Sequence, residues 1–164
     1  MTTECVSDPV TLPELPPFPD DLITRGIKLR SDFETIKKNL VDLENQIKNG
    51  SAAPSKAENR GLREDTPLQL KIKAEKKKLE ALKKAVTQLI KETESQKLLE
   101  LEFKQKFEEW KRELNNRECK PENLKETLAK IDTYIKVIDK KLEVIERALE
   151  EYRNMEIDID QRSQ

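Results

Sequence analysis

The stretch "LKETLAKIDTYIKVIDKKLEVIERALEEY", Leu124 to Tyr152, decides the fold class. Its apolar residues Leu124, Leu128, Ile131, Ile135, Ile138, Leu142, Ile145, Leu149 and Tyr152 follow one another by steps of four or three. That spacing draws a narrow stripe down one side of an α-helix, and the stripe has to be buried against another helix. Between its members stand Lys, Glu and Asp, which suit a solvated face. A strand would need alternation with period two, and the stretch has none.

Upstream, "NNRECKP" supplies asparagines and a proline as helix breakers, and Pro121 suits the first turn of a new helix. The third helix is therefore expected over 121–156, with residues 157–164 as a frayed tail. Before the break the same frame runs backwards through Leu114, Trp110, Phe107 and Phe103, then through Leu89, Val86, Leu82, Leu79, Ile72 and Leu68. A second helix is expected over 66–118, capped by Asp65 or Thr66 and opened by Pro67. Between Leu89 and Phe103 the frame falls on Thr93, Gln96 and Glu100, while Leu98, Leu99 and Leu101 lie off it. A kink, a stutter or a change of neighbour is expected there. A short turn between two heptad helices makes them antiparallel. Setting Leu114 against Leu124 gives facing numbers that add to about 238, and a hairpin core of Phe103, Phe107, Trp110, Leu124, Leu128 and Ile131.

The first helix is expected over 20–48, where Asp20 and Asp21 favour the positive end of the helix dipole. Its seam is Leu29, Phe33, Ile36, Leu40, Leu43 and Ile47. Gly26 stands at the seam position before Leu29, a sign of a bend or a close contact. Glycines, Pro54 and small polar residues make 49–65 a flexible linker. Residues 1–19 hold five of the eight prolines and neither Lys nor Arg. Proline blocks an early helix start, so this arm is expected to be extended, polyproline-like and disordered. Within "LPELPPFPDDL", Leu12, Leu15 and Phe18 are three apart and share one face of such a path, as a docking motif would.

The composition agrees. Charged residues make 40% of the 164, aromatics 4%, and glycine occurs three times. Lys plus Arg, 32, nearly cancels Asp plus Glu, 33, so no global field points to nucleic acid or to a membrane. There is no histidine, no glycine-rich loop and no spaced ligand cluster, so no catalytic, cofactor-binding or metal-binding residue is assigned and the expected activity is non-enzymatic. Cys5 and Cys119 lie far apart, which reads as two free thiols in a reducing cytoplasmic or nuclear setting. No apolar run reaches membrane length. The basic run Lys71, Lys73, Lys76, Lys77, Lys78, Lys83, Lys84 has no interleaved arginine or aromatic, and acidic residues of the third helix are placed to neutralise it. The balance is against nucleic acid.

The fold expected is all-α, an elongated helical hairpin and coiled coil of three unequal helices with a disordered proline-rich N-terminus. Such helices leave seams open, which marks association with other coiled-coil subunits or with a second copy. The partner-binding residues expected are Leu12, Leu15 and Phe18 of the arm, Leu29, Phe33, Ile36, Leu40, Leu43 and Ile47 of the first helix, and Leu68, Ile72 and Leu79 of the second. In general design the chain resembles small helical subunits of kinetochore, spindle-pole and vesicle-tethering complexes, which implies a scaffold or adaptor, with chromosome-segregation or cytoskeletal assemblies preferred. The alternatives are a nucleic-acid-associated factor using the Lys71 to Lys84 face, a vesicle tether, and a prefoldin-like holdase, for which the β-hairpin signal is missing.

Overall fold

The helices begin and end where backbone groups find partners. In the computed structural model, which describes residues 9–49 and 66–163, α1 is Asp20–Lys48, α2 is Pro67–Asn116 and α3 is Leu124–Arg162. Thr66 and Gln69 open α2 with a reciprocal box: the Thr66 amide donates to the Gln69 side chain at 2.9 Å, and the Gln69 amide to the Thr66 hydroxyl at 3.2 Å. Pro67 follows as first helical residue, where its missing N–H costs nothing. At the other end the Lys120 ammonium donates to the carbonyls of Leu114 and Asn115, two of the last acceptors of α2. No strand occurs among the described residues. Residues 1–8 and most of the expected linker, 50–65, lie outside them.

α3 starts three residues later than Pro121. The Leu124 amide donates to the Pro121 carbonyl at 3.2 Å and the Thr127 amide to the Asn123 carbonyl at 2.9 Å, so residues 121–123 form a turn rather than a first helical turn. Its other end also differs from expectation. The helix continues through the tail to Arg162, because Ile159 is fully buried and Asp158 and Asp160 are held by Lys37 and Lys83. The weak alternation of Ile157 and Ile159 hid an ordinary helical step, Met155 to Ile159, both of them buried.

The described residues fall into two compact units. One holds the arm through Asp20 with Glu92–Leu149, and the other holds α1 from Asp21, α2 to Lys91 and α3 from Glu150. In the first, α2 and α3 run antiparallel, tied by Lys97–Glu146 at 3.7 Å, Lys104–Asp139 at 2.7 Å and Lys111–Asp132 at 2.7 Å. The numbers in each pair add to 243, and the Phe107 and Tyr134 rings, 5.4 Å apart, add to 241. The register thus lies a few residues beyond the expected 238, the room being taken by the connection Arg117–Asn123. The core here is Phe107, Leu114, Ile131, Ile138 and Leu142, with Phe103, Trp110, Leu124 and Leu128 half-buried around it. Phe107 meets Trp110 and Tyr134 edge to face.

In the second unit α1 runs antiparallel to α2 and along α3. Its contacts are Asn39 with Glu75, Lys37 with Asp158, and Leu22 with Tyr152. The core combines Phe33, Ile36 and Leu40 with Leu79, Leu82, Val86 and Leu89 and with Tyr152 and Ile159. Gly26 is the close contact its seam position suggested: a Cβ there would overlap the Tyr152 hydroxyl and two of its ring carbons. The Tyr152 hydroxyl donates to the Leu22 carbonyl at 3.0 Å.

Burial, and secondarily the Glu151 carboxylate, push the Tyr152 phenol above its ordinary value of 10, with Arg25 opposing. Above that ordinary value the unfolded chain gives up this proton while the folded chain keeps it. The stabilisation is therefore complete below about pH 10 and is lost as pH rises towards the folded value. Tyr152→Phe is expected to be less stable than wild type near neutral pH, by about 1 kcal/mol for the lost hydrogen bond. That gap should narrow as pH rises from 9 to 11 in urea-denaturation series; a gap that widens would refute the assignment.

Candidate functional site

Among the described residues no set of three acidic or cysteine side chains is placed to hold a metal, and no helix is long and apolar enough to cross a membrane. Three surfaces of the described residues set apolar side chains beside polar or charged ones.

The first is the seat of the proline-rich arm. Residues 9–19 have no regular secondary structure, as five prolines require, yet they are not loose. Val10, Leu12 and Leu15 pack on the core of the first unit. The Asn123 side chain grips the Val10 backbone twice, accepting from its amide and donating to its carbonyl, both at 3.1 Å. Farther along, the Lys141 ammonium donates to the Pro16 carbonyl at 2.6 Å. Over residues 9–19 the arm is irregular, as expected, and lies against the core of the first unit. A two-helix layer exposes one side of its seam, and apolar residues of the same chain cover it. Leu12 and Leu15 share this inward face, but Phe18 does not join them and stays 38% exposed.

Cysteine usage is corrected too. Cys119 is disulfide-bonded, so it is not a free thiol; the other cysteine of the sequence, Cys5, lies outside the described residues. Spacing rules look for neighbours along the chain. They miss that the fold returns the arm to the α2–α3 connection, where Asn123 holds Val10.

The second surface lies where the heptad frame meets polar residues. α2 is helical throughout, and the frame holds: Thr93 and Glu100 are fully buried on the inner face. Glu100 has 0% side-chain exposure and Lys141 8%, with 3.6 Å between ammonium and carboxylate. The same Glu100 oxygen accepts from Gln96 at 3.2 Å, while its second oxygen is buried without a partner. On the opposite face Leu98, Leu99 and Leu101 are 62%, 38% and 41% exposed. At roughly 100° per residue these three span the side away from Glu100. The stretch is inside out, with charge in the core and leucine on the surface. Of the outcomes expected here, the change of neighbour holds, since beyond Glu92 the arm rather than α1 flanks the α2–α3 pair.

The third surface is a groove between α1 and α2 in the second unit, lined by Leu29, Ile36, Leu82 and Ala85 with Asp32, Asn39 and Glu75. Of the residues assigned to partners, Phe33, Ile36, Leu40, Leu43 and Leu79 are buried within this unit. Ile47 is exposed, and Leu29, Leu68 and Ile72 are half-buried. In the basic run, Lys83 pairs with Asp160, which raises the Lys83 ammonium above its ordinary value chiefly through that hydrogen bond, and Lys78 pairs with Glu75 at 3.1 Å. Sequence reasoning missed Val10, Asn123, Lys141 and Glu75. Only Glu75 leaves a trace in the sequence, as the polar member between Ile72 and Leu79 in the apolar part of the frame that ends at Leu89.

No family model, curated protein or solved structure matches the chain.

Proposed function

We propose that the protein is a non-catalytic coiled-coil subunit of a multi-protein assembly, a scaffold or adaptor that binds other helical chains. The inside-out stretch of α2 carries this reading. Three leucines stand on the surface of a helix whose core position beneath them is filled by a buried charge pair. A fold that buries Glu100 and leaves Leu98 to water gains nothing from either choice on its own. The exposed leucines are accounted for if Leu98, Leu99 and Leu101 are covered in the assembled state by another helix. Among such assemblies the general resemblance to kinetochore, spindle-pole and cytoskeletal subunits sets the preference. Cytoplasmic or nuclear localisation rests on that preference alone, because a disulfide at Cys119 removes the argument from free thiols.

The test is the double variant Leu98→Glu/Leu101→Glu. Surface changes of this kind leave folding within about 0.5 kcal/mol, so the far-UV spectrum and urea midpoint should be unchanged. Proteins that co-purify with the wild-type chain from cells, or a second copy seen by sedimentation equilibrium, should be lost. A wild-type chain that is monomeric and retains nothing the double variant loses would remove the reading.

A further inference from the structure

We propose that the α1–α2 groove of the second unit receives a partner α-helix that carries one arginine or lysine within its apolar face, and that this cation pairs with Glu75. The proposal rests on the subunit reading above and deepens it.

Glu75 stands in the frame position between Ile72 and Leu79, where the pattern of α2 from Leu68 to Leu89 otherwise places apolar residues. A polar residue at such a position selects the partner and its register in helical assemblies. The side chain is buried to about nine tenths and lines the groove. One oxygen accepts from Asn39 at 3.4 Å and from Lys78 at 3.1 Å, whereas the other is sealed from solvent with no donor. Rotation of the carboxylate exchanges the two oxygens, so its unused acceptor capacity can be turned to the groove. Lys78 bonds Glu75 and lines the same groove, but its side chain is 61% exposed, so this ion pair is largely solvated and a better-placed donor on an incoming helix can take its place.

The groove is built for a helix. It holds about 450 Å³ and runs from Leu29 to Asn39 on α1 and from Glu75 to Ala85 on α2. Ten residues of helix rise roughly 15 Å, about three turns of an incoming helix. Leu29, Ile36 and Leu82 give it apolar walls, and Ala81 and Ala85 let a backbone come close. Asp32 and Glu75 against Lys78 leave the lining with one negative charge in excess, so a cation meets attraction where a carboxylate would be repelled. An arginine is favoured over lysine by its forked donors.

The experiment uses the full-length chain and a displayed library of 14-residue amphipathic helices whose inward positions are randomised. Enriched sequences are expected to carry a single arginine or lysine among the inward positions. As synthetic peptides they should bind Glu75→Leu at least tenfold more weakly than wild type, with Glu75→Asp intermediate, while Leu98→Glu/Leu101→Glu binds them as wild type does. Glu75→Leu places an apolar residue in an apolar seam, and its circular dichroism and urea midpoint confirm that it folds. Enriched helices without an inward base, binding indifferent to Glu75→Leu, or no enrichment at all would each overturn the proposal. Peptides lost on Leu98→Glu/Leu101→Glu but not on Glu75→Leu would overturn it while leaving the subunit reading in place.

Discussion

Lys141→Met is expected to lower the stability of the protein by about 3–5 kcal/mol, the usual cost of removing one member of a buried ion pair. The reason lies in what is left behind. Glu100 is wholly buried, and one of its oxygens already lacks a donor. Without the ammonium the carboxylate keeps only Gln96 as a partner. Methionine fills the space of the lysine stem and cannot answer the charge. The double variant Glu100→Leu/Lys141→Met removes both charges and should recover most of the loss, since an apolar pair of similar volume is often as stable as a buried salt bridge. Both are to be read from urea unfolding midpoints at constant slope. A second consequence separates this site from ordinary core packing. Lys141 also holds the Pro16 carbonyl, so both variants should speed amide exchange and proteolysis in residues 10–18. A single variant as stable as wild type would show that the pair is not buried in solution.

Gly26→Ala tests the opposite intuition. In an exposed helix alanine would be better than glycine by about 1 kcal/mol. Here the added methyl falls on the Tyr152 hydroxyl and on two atoms of its ring, and a rigid, buried ring cannot step aside by turning one bond. It must leave its place, giving up its hydrogen bond to Leu22 and part of its burial. Overpacking of this kind costs about 1–3 kcal/mol, and the lost hydrogen bond about 1 more. The expected net is a loss of about 1–3 kcal/mol despite the better helix former. In a Tyr152→Leu background the same change should turn neutral or stabilising, because the space is vacated. A thermodynamic cycle over the four proteins measures the coupling. Additive effects would mean that Gly26 and Tyr152 do not touch.

Much of this was legible in the chain itself. The runs Leu124 to Tyr152 and Leu29 to Leu43 announce buried helix faces, because a 3.5-residue period is a local property that any helix displays on one side. The frame through Thr93, Gln96 and Glu100 marked the unusual segment, and Gly26 marked the close contact. What answers Glu100 was not legible. Its counterion Lys141 is 41 positions away in a segment crowded with lysines, and only the antiparallel register selects it from the rest. The arm shows the same limit. Its prolines forbid a helix wherever it lies, but the seat for Val10 comes from Asn123, 113 residues on.

The sequence by itself determined that this protein is all-α, the extent of its first two helices, and which face of each helix is buried. Periodicity, caps and prolines act within a few residues, so the chain carries them openly. Only the tertiary structure decided that the arm is seated on its own hairpin, that charge lies inside and leucine outside at Thr93–Leu101, and that Glu75 lines a groove with an oxygen to spare. These depend on which of many similar lysines, leucines and glutamates come to face one another across helices, a choice made by the register and packing of the whole chain.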